Sequence, residues 1–92
     1  MIGEFVVVRT YSAGVHCGVL ESCNGTAVLL SDCRRIWRWS GAFSLNELAT
    51  KGCAESSRIS QPVAKNLLTE AIEIIPTTDE ARENLSRSRN GA

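Results

Sequence analysis

Phe5-Val6-Val7-Val8 is an uninterrupted apolar run that passes into Arg9-Thr10. Its β-branched content predicts a first strand. Ser12-Ala13-Gly14 breaks the run, and Val15 to Ser22 predicts a second strand with Gly18 inside it. A glycine within a strand marks a bulge or a close approach of backbone. Asn24-Gly25 is the strongest short hairpin signal in the chain and joins this strand to a third, Thr26 to Ser31. After a break at Asp32-Cys33, Arg34 to Trp39 reads as a fourth strand. Regular alternation there places Arg35, Trp37 and Trp39 on one face and Arg34, Ile36 and Arg38 on the other. Ser40-Gly41-Ala42 ends the segment.

The pattern then turns helical. Ser44-Leu45-Asn46-Glu47 is a capping box, in which the serine accepts from the third helical amide, and it starts a short helix to about Thr50. Gly52 supplies the stop. Lys51 to Gln61 is polar and rich in small residues, and reads as a surface loop. Leu67 to Ile75 alternates as a final strand that Pro76 ends. Thr77-Thr78-Asp79-Glu80 offers a second capping box for a helix through about Leu85. The expected architecture is α+β: a curved, mostly antiparallel sheet of about five strands with two short helices. Residues 1–85 form a single domain and 86–92 a flexible tail.

At 92 residues one domain is expected, and its core is small. Chains of this size bury only about 60% of the surface they expose when unfolded. Completion of that core by a second copy is therefore expected, as a homo-oligomer. The formal charge is zero, from 10 basic and 10 acidic residues. That balance disfavours a partner as long as a nucleic acid, which asks for a basic surface. The N-terminus lacks the basic and apolar regions of a signal peptide, and no apolar run spans a membrane, so a cytoplasmic protein is expected. Cys17, Cys23, Cys33 and Cys53 form no paired motif, and the one histidine, His16, adjoins Cys17. No metal or cofactor is expected from such spacing, and the thiols read as free and buried.

The basic residues are mostly arginine, whose planar fork suits phosphate and carboxylate and stacks on rings. Three arginines and two tryptophans fall within Arg34-Arg35-Ile36-Trp37-Arg38-Trp39. Tryptophan offers a stacking surface worth about 1–3 kcal/mol per base. Together these residues suit a nucleotide or another flat anion. An equal alternative is that the tryptophans fill the core while the arginines reach to solvent from an edge strand. Arg9, Tyr11 and Ser12 precede Gly14 in a segment whose backbone amides could cradle an anion. By itself this segment also reads as an ordinary turn. Glu70 and Glu73 point to opposite faces of a strand, which suits ion pairing with Arg34, Arg35 or Arg38 rather than acid–base chemistry. Neither a nucleophile motif nor a phosphate-binding glycine loop occurs, so a binding protein rather than an enzyme is expected.

Residues 6–18 (Val-Val-Val-Arg-Thr-Tyr-Ser-Ala-Gly-Val-His-Cys-Gly), the Asn-Gly turn, 33–42 (Cys-Arg-Arg-Ile-Trp-Arg-Trp-Ser-Gly-Ala), Ser44-Leu45 and 68–76 (Leu-Thr-Glu-Ala-Ile-Glu-Ile-Ile-Pro) resemble a family of small, uncharacterised bacteriophage and prophage proteins. The resemblance spans roughly 5–80 and supplies no catalytic residues. It implies a phage accessory protein made inside an infected bacterium. By analogy with small phage proteins that sequester immune signals, it implies a sponge for a cyclic-dinucleotide-type signal that binds without cleaving. The ligand-binding residues would be Arg9, Tyr11, Ser12, Arg34, Arg35, Trp37, Arg38 and Trp39. A module that inhibits a host protein, rich in the Trp and Arg of interface hot spots, and a single-stranded nucleic-acid binder are the alternatives.

Overall fold

The computed structural model describes residues 1–39, 41–42 and 44–87. Six strands and two helices follow one another as β1 (Phe5–Thr10), β2 (Val15–Asn24), β3 (Ala27–Arg38), α1 (Leu45–Lys51), β4 (Arg58–Ile59), β5 (Val63–Leu68), β6 (Ala71–Pro76) and α2 (Asp79–Ser86). The fold is α+β, as the pattern predicts. Every strand pairing is antiparallel, in the order β4-β3-β2-β1-β6, with β5 also paired to β3. The sheet curves strongly without closing: β5 and β6, joined by Thr69-Glu70, lie on opposite edges of it.

Curvature explains why β1 is apolar at consecutive positions. Val6 and Val8 face the hollow of the sheet, with Leu20, Val28, Leu30, Cys33, Leu68 and Ala71. Phe5 and Val7 face the other way, toward Cys17, Ile36, Ile59 and the helix residues Leu48, Ala49 and Leu85. A continuous apolar run is the signature of a strand buried on both faces. Thus β1 is a central strand between two small cores. The first helix starts at the cap the sequence predicts, Ser44 Oγ accepting from Glu47 N at 3.2 Å; the second starts one residue later than its expected box, Thr78 Oγ1 accepting from Ala81 N at 3.1 Å while Thr77 donates to Phe5 O. They are tied together beyond α1. Asn84 of α2 accepts from Cys53 N at 2.9 Å and donates to Cys53 O at 3.0 Å, in the space that the missing side chain of Gly52 leaves open.

Three boundaries differ from the pattern reading. The expected third and fourth strands are one, β3, because Asp32-Cys33 is a bulge and not a break. On β2, Gly18 alone separates Cys17 from Val19; on β3, Asp32 and Cys33 together separate their partners Arg34 and Ser31. Asp32 adopts φ 49°, a conformation aspartate tolerates better than most residues. The expected last strand is two, since Thr69-Glu70 turns the chain across the open side of the sheet. The loop from Lys51 to Gln61 contains β4, held by the register pair Ile36–Ile59. Ser86 completes α2, and Arg87 contacts Glu55 at 3.0 Å; Ser40 and the expected tail beyond Arg87 lie outside the described residues.

The bulge depends on Gly18 having no side chain. A Cβ there would stand 2.8 Å from Ser31 O and 3.2 Å from Cys33 Cα, both backbone atoms. Gly18→Ala is expected to cost about 1–3 kcal/mol, read as a lower urea midpoint with an unchanged slope. A loss below about 0.5 kcal/mol, the level of an ordinary surface substitution, would contradict this role.

Candidate functional site

The bulge sets which side chains of β3 reach which face. Before it, the even-numbered Val28 and Leu30 point into the hollow; after it, Arg34 and Ile36 point to the helices. Arg34 is consequently drawn into the protein, with 6% of its surface exposed. Its Nε donates to Ser60 O at 2.8 Å, and its Nη1 donates to Leu85 O at 2.9 Å and Arg87 O at 2.7 Å. The last two are carbonyls at the C-terminal end of α2, where a helix leaves acceptors unsatisfied and favours a cation. Arg34 is thus a rivet between sheet and helix. It is removed from the set of ligand-facing arginines that the sequence suggested.

Arg35 points the other way and is exposed. It is the register partner of His16, and its Nε donates to His16 Nε2 at 3.4 Å. His16 is 1% exposed, and its Nδ1 has no hydrogen-bond partner among the described residues. Burial, reinforced by the Arg35 charge, lowers the histidine pKa to about 4.

A second bulge comes three residues after Arg34. Ile36 pairs with Ile59 and Arg38 with Arg58, so Trp37 is the extra residue. This resets the alternation expected from the sequence. Arg38 and Arg58 oppose each other, while Trp39 turns to pack half-buried against the helix-side core. Trp37 remains 51% exposed, with the Arg58 guanidinium 5.9 Å from its ring centre. Trp37 is thus mainly a surface residue, whereas Trp39 packs on the core with one side and lines surface recesses with another.

Arg35, Ile36, Trp37 and Trp39 form one wall of an open groove of about 370 Å³, and Ser12, Ala13, Gly14 and Val15 form the other. The turn is braced from within. Thr10 Oγ1 donates to Gly14 O and accepts from Ala13 N, both at 2.8 Å, and the Ser12 hydroxyl donates to Glu70. Of the residues proposed from sequence, the groove brings together Ser12, Arg35, Trp37 and Trp39. Arg38 lines a neighbouring recess of about 330 Å³ with Trp39, Ser56, Ser57 and Arg58. Arg9 and Tyr11 are exposed outside both, Arg9 opposite Glu73 across the β1–β6 pairing. The expected pairing of Glu70 with the arginine run is replaced by its contact with Ser12.

Arg58, Ser56 and Ser57 were not legible as site residues. They sit 18 or more positions from Arg38 in a loop, and only the two-residue strand β4 brings them alongside. None of Arg35, Arg38 and Arg58 forms an ion pair among the described residues. The expectation of buried thiols holds for Cys17, Cys33 and Cys53, whereas Cys23, beside the hairpin turn, is exposed. Burial raises the Cys33 thiol pKa against the opposing effect of an Asn66 hydrogen bond. Among the described residues, no group of three or more His, Cys, Asp and Glu could hold a metal ion, and no helix is long and apolar enough to cross a membrane.

Two outcomes follow. Arg34→Met leaves three carbonyls without their donor and should lower stability by about 2 kcal/mol or more, measured by chemical denaturation; a neutral effect would remove Arg34 from the scaffold. His16 takes up its proton later in the folded chain than in the unfolded one. Stability is therefore fully present above the unfolded pKa of about 6.5 and declines as the pH falls toward 4. Between pH 6.5 and 5, above the main carboxylate range, the loss should be about 1–2 kcal/mol. His16→Gln should flatten that part of the profile, and an unchanged slope would show that His16 is not its source.

No curated protein and no solved structure matches the chain. Residues 3–85 match the family described as a domain of unknown function (DUF6948), and the chain belongs to that family.

Proposed function

We propose that the groove between the Ser12–Gly14 turn and the outer end of β3 binds a nucleotide of the cyclic-dinucleotide class and holds it without cleaving it. In this reading the protein is a phage-encoded sponge, acting in the cytoplasm of an infected bacterium to keep an immune signal from its receptor. The observation that carries the reading is the placement of a half-exposed Trp37 beside the exposed Arg35 in one groove. The indole offers a stacking surface for a base, and the guanidinium offers paired donors for a phosphate. The backbone turn at Ser12–Gly14 forms the facing wall. With zero net charge, a local cationic site on an otherwise balanced surface suits a small anion better than a long nucleic acid.

Binding without cleavage, in this reading, is supported by the residues beside the groove. His16, the chain's one histidine, lies buried beneath Arg35 and is held neutral, and the Ser12–Glu70 contact braces the turn. Assembly into a homo-oligomer belongs to the same reading. Val63 and Leu67 on β5 and Ile72 on β6 leave apolar surface exposed along both sheet edges. Unpaired edges of that kind favour association with another chain.

Calorimetry against a panel of cyclic dinucleotides should give binding at micromolar concentrations or below. Trp37→Ala should weaken it by about tenfold or more, the loss of one stacked base. Absence of binding across the panel would contradict the proposal. If a host protein instead co-purified stoichiometrically through a surface that includes Trp37 and the 80%-exposed Tyr11, the groove would be a protein interface. Native mass spectrometry of the same sample should show more than one subunit per particle. A strict monomer at micromolar concentration would remove the oligomer from the account.

A further inference from the structure

The loop after α1 delivers Ser56, Ser57 and Arg58 to the end of β3, and the register there is unusual. Arg38 and Arg58 are direct partners on neighbouring strands. Like charges directly opposite each other destabilise a sheet. The adjacent pair Ile36–Ile59, both members fully buried, already attaches β4, so the arginines are not needed for that attachment. Neither arginine forms an ion pair among the described residues, and Glu55, the acidic residue of the loop, is engaged by Arg87 at 3.0 Å. The repulsion in the free protein is relieved if an anion sits between the two forks.

The two arginines, Ser56, Ser57 and Trp39 enclose the recess of about 330 Å³. Guanidinium forks and hydroxyls match the oxygens of a phosphate, and two such forks suit a dianion. Trp39 is shared with the groove, and Arg58 also lies over the ring of Trp37. We propose that this recess is a phosphate seat, distinct from the groove and separated from it by Trp39. Resting on the nucleotide reading of the groove, this makes the preferred ligand one that carries phosphates on both sides of a stacked base: one at Arg35, one between Arg38 and Arg58. A cyclic or linear dinucleotide satisfies that requirement, whereas a nucleoside does not.

Titration of the full chain with pyrophosphate at constant ionic strength, followed through arginine Nε–H resonances, tests the seat without any base. Arg38 and Arg58 should shift together while Arg9 and Arg82 stay in place. Arg38→Gln, a change at an exposed position, should weaken pyrophosphate by about tenfold or more, and Arg58→Lys by less. Shifts spread evenly over all arginines, or affinity unchanged in Arg38→Gln, would overturn the seat. Cyclic dinucleotide binding that is sensitive to Trp37→Ala but not to Arg38→Gln would leave the groove reading standing and remove the seat. Pyrophosphate at the seat with no dinucleotide binding would do the reverse. Loss of both would end both.

Discussion

Between Cys17 and Val19 the second strand advances by the one residue Gly18, while the third strand opposite needs both Asp32 and Cys33 to cover the same distance. Everything on the far half of β3 depends on that mismatch. Side-chain direction in a strand has period two, so one extra residue exchanges the faces of all that follow. Without it, Arg34 would point to the hollow of the sheet with Val28 and Leu30, and Arg35 would meet the helices. With it, Arg34 reaches the carbonyls at the end of α2, and Ile36 joins the helix-side core. The fit is possible only where β2 presents a bare backbone.

A second inserted residue, Trp37, acts in the opposite sense. It restores an outward direction to Arg38 and sends Trp39 back toward the core. Two bulges six residues or fewer apart thus divide one basic-aromatic run among three tasks: Arg34 to the scaffold, Arg35 and Trp37 to the groove, Arg38 to the recess beside it. The division also accounts for the electrostatics. Burying Arg34 among carbonyls engages its donors, whereas Arg35, Arg38 and Arg58 stay on one side of the sheet without an ion pair among the described residues. A domain of zero net charge therefore carries a local cationic surface next to an exposed indole.

Local chemistry was readable wherever it is set by neighbours in sequence. The cap at Ser44, the stop at Gly52, the Asn24-Gly25 hairpin and the first strand at Phe5–Thr10 follow from propensity and pattern alone. Gly18 was readable as a bulge or close approach, and it is both. The site was only half readable. Composition singles out the run at 34–39, but the faces of its residues depend on bulges whose partners lie 14 to 22 positions away. Perfect alternation places Trp39 and Trp37 on one face; the bulge at Trp37 turns Trp39 toward the helix-side core, although both still line the groove. Arg58 becomes visible only when β4 adds itself to the sheet edge. Glu70 meets Ser12 because the Thr69-Glu70 turn crosses to the β1–β2 end, a closure that no local pattern encodes.

The proposed ligand would occupy the surface formed by the Ser12–Gly14 turn and the outer end of β3. Backbone chemical-shift mapping of the labelled protein on addition of a cyclic dinucleotide measures this directly. The predicted result is a contiguous set of perturbed amides at Ser12 to Val15 and Arg35 to Trp39, extending to Arg58. Perturbations confined to the exposed edges around Leu67 and Ile72, or none at saturating ligand, would contradict it.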